Sequence, residues 1–198
     1  ATATGALGMT DWHMVFKPAV MVFAIVHLLT LEGGARGRLW LLAALVCSLA
    51  GDLFLMLPNP ALFLPGLVSF LLAHIAYIVL FRQGVRWFPR RTALAATLGV
   101  GSAMYAFLWQ GGLPAELRIP VAVYVTAIAL MAAQALGRAS VLGDRAARQV
   151  ALGACFFMLS DSLLATNRFV QPLPLAQVGV LATYYAAQAF IVHGMVLG

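Results

Sequence analysis

Two aspartates, Asp52 and Asp161, stand inside stretches apolar enough to lie in lipid: LWLLAALVCSLAGDLFLML and VALGACFFMLSDSLLAT. A carboxylate near the centre of a bilayer costs several kcal/mol or more, so such residues face a bundle interior and mark function. Two carboxyl groups in a poorly hydrated setting suit general acid/base work, because one can stay protonated at neutral pH while the other ionises. The bland alternative is a pair of helix-bridging hydrogen bonds, with Tyr or His as partners. Other polar residues share these apolar surroundings. His74 and Tyr77 are three apart and so lie on one helical face, while Gln177, Tyr184 and Gln188 form a stripe at spacings of seven and four. The four helices bearing these groups are expected to line one polar cavity.

The elements that position them follow from composition. The chain has 198 residues, of which 63% are hydrophobic and 9% charged, a balance that excludes an ordinary soluble domain. Apolar runs of roughly 17 to 20 residues recur, each able to cross a hydrocarbon core about 30 Å thick. The alternating pattern of an outer-membrane barrel is absent. The expected fold is all-α, a polytopic transmembrane helix bundle forming a single domain over residues 1–198. Seven spans are read: Val15–Leu31, Leu39–Leu57, Leu62–Phe81, Thr92–Gln110, Ile119–Leu136, Val150–Thr166 and Leu175–Leu197. Gly33-Gly34, Pro58-Asn59-Pro60, Gly111-Gly112 and Pro172 with Pro174 punctuate them. Asp52 precedes Pro58, and Asp161 precedes Asn167, by six residues, which puts each about 9 Å inside its helix end.

Charge sets the orientation. Arg36, Arg38, Arg82, Arg86, Arg90, Arg91, Arg138, Arg145 and Arg148 fall in alternate connections, against Lys17, Arg118 and Arg168 on the other side. The positive-inside bias places the first group, and the C-terminus, in the cytoplasm. The net charge of +6 is thus explained without nucleic acid. An Arg-dominated basic set with abundant Ala is in keeping with a GC-rich bacterium, and the expected location is the bacterial inner membrane. Residues 1–14 are too short to span and read as the remnant of a further N-terminal helix. Cys47 and Cys155 read as small buried hydrophobes rather than a disulfide. His27 and His193 read as satisfied core or interface residues. Gly99, Gly101, Ser102 and Ala103 read as a close helix-packing surface. No HExxH spacing or same-face His pair suggests a metal, and no Walker, Rossmann or GxSxG signature suggests a nucleotide cofactor or a serine nucleophile. Neither a metal nor a cofactor is expected.

Lys17-Pro18, SLAGDLFLML, FLPGLVSFLLAHIAY, FFMLSDSLLATNRF and TYYAAQAFIVHG, in this order and spacing, resemble the YhhN family of membrane proteins, which contains the lysoplasmalogenases. The resemblance runs from about Lys17 to the C-terminus. Its members usually have eight helices, which implies one before the Lys-Pro pair. It also implies an integral-membrane hydrolase that cleaves the vinyl ether of a lysoplasmalogen to a fatty aldehyde and a glycerophospho-ethanolamine or -choline. Asp52 and Asp161 are then the catalytic groups, much as paired carboxylates serve at glycosidic bonds. Lys17, His74, Tyr77, Asn167, Arg168, Tyr184 and Gln188 are the expected substrate-binding residues. Membrane lipids and the lysophospholipid itself are the expected partners. The rival readings are a non-catalytic lipid-binding or lipid-moving protein and a small proton-coupled transporter using the aspartates as a relay.

Overall fold

A computed structural model describes residues 18, 20–30 and 35–197. Seven α-helices are present among them: α1 (Val20–Thr30), α2 (Ala35–Met56), α3 (Phe63–Phe81), α4 (Arg91–Gln110), α5 (Arg118–Leu142), α6 (Arg145–Phe169) and α7 (Ala176–Leu197). Single 3₁₀ turns, Pro60–Leu62 and Ala115–Leu117, lead into α3 and α5. No strand occurs among the described residues. The all-helical expectation therefore holds, and six helices, α2 to α7, are long and apolar enough to cross a membrane. The first expected span is represented by the shorter α1, and its start, with Lys17, lies outside the described residues. So does the segment read as the remnant of a further helix.

Two helices outrun the apolar stretches that reveal them. α5 continues six residues past Leu136, and α6 runs from Arg145 to Phe169 instead of Val150 to Thr166. A helix closes its own backbone hydrogen bonds, so it continues into charged sequence until a cap or an αL residue ends it. Gly143 ends α5 at φ 69°, and the Asp144 carboxylate then accepts from the Ala147 N–H at 2.7 Å to start α6. Arg138, Arg145 and Arg148 accordingly sit on helix ends, not in a loop. Asp52 lies about 6 Å from the end of α2, and Asp161 about 12 Å from the end of α6, at about 1.5 Å per residue.

The described residues fall into two compact units that divide within α3, between Ala73 and His74. In the first, Gly51 of α2 faces the Phe70 ring, which would come within 2.5 Å of an added Cβ, and Gly66 likewise receives Leu55. These contacts draw α2 and the first half of α3 together. In the second, α6 and α7 make the closest pair. A Cβ at Gly153 would meet the Ala187 carbonyl at 2.7 Å, and one at Gly194 the Ala146 carbonyl at 2.6 Å. Small residues let helix backbones approach where dispersion contacts must supply the attraction. Gly101 fits the expected packing surface, with Val125 and Ala129 3.2–3.3 Å from an added Cβ, whereas Gly99 faces open space. The loop between α3 and α4 is tied to α5: Gln134 accepts from the Phe88 N–H at 2.7 Å and donates to the Arg86 carbonyl at 3.1 Å, and Arg138 donates to the Gln83 carbonyl.

Candidate functional site

On α2, Leu41, Leu45, Ser48 and Asp52 recur at helical spacing and are all buried, Ser48 and Asp52 completely. The carboxyl of Asp52 is thus on the packed face of its helix and away from lipid. That is the placement expected of a charged residue in a span.

The second unit gathers a layer of polar and aromatic side chains. Four helices contribute: His74 and Tyr77 from α3, Tyr124 from α5, Phe157 and Asp161 from α6, Tyr184 and Gln188 from α7. Tyr77 donates its hydroxyl to Gln188 Oε1 at 2.5 Å, and both residues are buried. Tyr124 donates to Asp161 Oδ2. A hydrogen bond to a carboxylate is among the stronger ones, and here it sets the rotation of Asp161. Phe157 stands in the middle. His74, Tyr77 and Tyr184 form T-shaped pairs with it at ring-centroid distances of 4.8, 6.3 and 5.5 Å. These T-shaped contacts place ring edges against ring faces, as the aromatic quadrupole favours. Next to Asp161, Ser160 donates to the Val180 carbonyl at 3.0 Å and fixes this level of α6 against α7.

His74 differs from its neighbours. It is fully buried, and neither Nδ1 nor Nε2 has a hydrogen-bond partner among the described residues. Tyr124 and Phe157 flank its ring at 5.2 and 4.8 Å, with interplanar angles of 71° and 73°.

Of the residues singled out from sequence, the second unit brings His74, Tyr77, Asp161, Tyr184 and Gln188 into this one neighbourhood. Asn167 and Arg168 are in the last turn of α6 and exposed. Asn167 is spent on the chain, accepting from the Leu173 N–H at 2.9 Å to close the turn toward α7. Gln177 is exposed in the first turn of α7, so the expected stripe narrows to Tyr184 and Gln188. His27, His193 and Cys155 are exposed rather than core residues, because their helical positions fall on outward faces. Tyr124 and Phe157 are members of the site that sequence reasoning missed. For Tyr124 a signal existed, since a phenol within an otherwise apolar span needs a partner for its hydroxyl.

The profile of the YhhN family matches residues 12–195. The chain belongs to the YhhN family. Relatives of this YhhN protein include the lysoplasmalogenase TMEM86B of Sus scrofa, 34% identical over 174 residues, covering 88% of this chain and 70% of the relative. The lysoplasmalogenase TMEM86B of Homo sapiens is 32% identical over 182 residues, 91% of this chain and 74% of that one. A lysoplasmalogenase of Mycobacterium tuberculosis is 32% identical over 168 residues, 82% of this chain and 62% of its own length. No solved structure matches the chain.

Proposed function

We propose that this YhhN protein is an integral-membrane lysoplasmalogenase that hydrolyses the vinyl ether of a lysoplasmalogen, with Asp52 and Asp161 as its catalytic groups. Relatives named lysoplasmalogenase in mammals and mycobacteria support the substrate class. The observation that carries the chemistry is a carboxylate, Asp161, oriented by Tyr124 within a membrane-spanning helix. In this scheme a protonated carboxyl delivers its proton to the β-carbon of the vinyl ether, leaving an oxocarbenium ion. The ionised carboxylate opposes that positive charge and takes a proton from the water that adds to it. The resulting hemiacetal collapses, its carbon–oxygen bond to glycerol breaks, and the glycerol oxygen leaves with a proton. One water is consumed, and a fatty aldehyde and a glycerophospho-alcohol are released. His74, Tyr77, Tyr184 and Gln188 bind the substrate beside Asp161, with Arg168 and Lys17 serving the phosphate. The arginine-rich helix ends and the C-terminus face the cytoplasm of a bacterial inner membrane, by the positive-inside rule. The reaction needs no metal.

The test is aldehyde release by purified protein from lysoplasmalogen, with the saturated alkyl-ether lysolipid as the control that must stay intact. Asp52→Asn and Asp161→Asn should each lower turnover by about 10²- to 10⁴-fold, the worth of acid/base catalysis, while remaining folded and extractable. Turnover near the wild-type rate in either variant removes that residue from the mechanism.

A further inference from the structure

His74 carries unused hydrogen-bonding capacity at a fully enclosed point of the site. A neutral imidazole brings one donor and one acceptor. Folding has buried both completely and supplied a partner to neither among the described residues. Leaving such groups unmet costs stability, and buried polar atoms in folded proteins are nearly always paired. The obvious local partners are committed elsewhere. The Tyr124 hydroxyl goes to Asp161, and the Tyr77 hydroxyl, one turn along α3, goes to Gln188. What Tyr124 and Phe157 give His74 is ring contact alone, at 5.2 and 4.8 Å. Those contacts pack the imidazole and supply no hydrogen-bond partner to either nitrogen. The ring is preorganised for a group that can both donate and accept.

We infer that His74 receives the free hydroxyl at glycerol C2 of the lysolipid and thereby makes the site selective for the lyso form. The inference rests on the lysoplasmalogenase reading above and names the substrate group that this residue recognises. The chemistry of the substrate fits the position. The C2 hydroxyl is vicinal to the vinyl ether oxygen, so the residue that binds it must stand beside the one that acts on the ether. One side chain, Tyr124, links His74 to Asp161. In the diradyl lipid an ester replaces that hydroxyl. An ester oxygen can accept but cannot donate, and it brings a second chain. A site with a buried polar group committed to a substrate hydroxyl rejects the analogue that lacks it, because the group is then left unpaired.

The experiment compares lysoplasmalogen with its 2-deoxy analogue, in which hydrogen replaces the C2 hydroxyl, by kcat/KM for aldehyde release. The wild type should prefer the hydroxylated substrate by about 10²-fold or more. In His74→Leu the preference should fall to within a few-fold of unity, and His74→Gln, which keeps a donor and an acceptor, should retain part of it. Thermal unfolding in detergent supplies a second readout. His74→Leu should unfold at or above the wild-type temperature, since it removes unpaired polar atoms from the interior. A marked fall in that temperature would make the imidazole a structural element and overturn the inference. So would a His74→Leu enzyme that still prefers the hydroxyl as the wild type does, or a wild type indifferent to it. The two levels separate cleanly. Absence of aldehyde from lysoplasmalogen with the wild type, or full turnover in the aspartate variants, overturns the underlying reading. An active wild type with inactive aspartate variants and unchanged discrimination in His74→Leu overturns the hydroxyl assignment alone.

Discussion

Gln134 and His74 are both completely buried polar residues of the second unit, yet they are built into it in opposite ways. Gln134 uses both ends of its amide: its oxygen takes the Phe88 N–H and its nitrogen reaches the Arg86 carbonyl. It holds a loop in which Phe88 adopts the left-handed region at φ 42°, and Pro89 then seats against Gly137, where a Cβ would be 2.7 Å away. His74 contacts two aromatic rings and has both nitrogens without a hydrogen-bond partner among the described residues. Burial alone therefore does not separate a structural polar residue from a functional one. For these two residues satisfaction does, since the fully paired Gln134 specifies the fold and the unpaired nitrogens of His74 are a cost retained for something else. A different contrast, that of position, separates Asp144, which caps α6, from Asp161, which pairs with a tyrosine inside a span.

The largest effect that would test this contrast is expected at Gln134. Leucine there removes both ties on the half-buried Phe88 and the exposed Arg86 of the loop, at about 1–3 kcal/mol in all. Thermal unfolding should show a large loss of stability, while the protein that remains folded should release aldehyde at close to the wild-type rate. A variant that stays stable but loses turnover would break the distinction. Next comes Tyr124→Phe, which removes a hydrogen bond to a carboxylate. Such bonds are worth about 1.5–3 kcal/mol, so kcat should fall roughly 10- to 100-fold. KM should hardly move, since the phenol positions Asp161 and does not hold the lipid in this scheme. Steady-state kinetics that leave kcat intact would detach Tyr124 from the site.

How much of this was legible in sequence depended on chemical contrast along each span. The six long helices were legible because apolar runs alternate with arginine, proline and glycine. Their ends were not, because α5 and α6 continue on backbone hydrogen bonds past the apolar residues, as far as the Gly143–Asp144 break and Phe169. Asp52, Asp161, His74, Tyr77, Tyr184 and Gln188 stood out as polar residues where water is scarce, and all but Asp161, which is partly exposed, are buried. Gln177 followed the same spacing but lies in a first turn, where exposure of an amide is cheap. Phe157 was illegible, since in CFFML nothing distinguishes the ring that anchors the site from its neighbour. Tyr124 belonged to a helix without polar periodicity, and its partner is 37 residues away. Spacing within one element cannot report a contact made between two.

The smallest expected effect concerns the rim, where Asn167 and Arg168 are adjacent in sequence but differ in what they are committed to. Asn167 has its side-chain oxygen on the Leu173 N–H, so its work is closing the turn into α7. Arg168 is exposed, with its guanidinium 5.9 Å from the centre of the Phe169 ring, and its charge can reach an anionic headgroup. Headgroup contacts are made alike in ground and transition states, so removing one raises KM and spares kcat. An exposed ion pair is worth about 0.2–1 kcal/mol, which makes the expected rise in KM for Arg168→Gln no more than about fivefold, and smaller at high salt. Asn167→Ala should instead lower the unfolding temperature slightly through loss of the Leu173 bond. If Arg168→Gln leaves KM and its salt dependence unchanged, the headgroup is held elsewhere. Entry from the arginine-rich ends of α3 to α6 then becomes the better account of how the lipid reaches the buried layer.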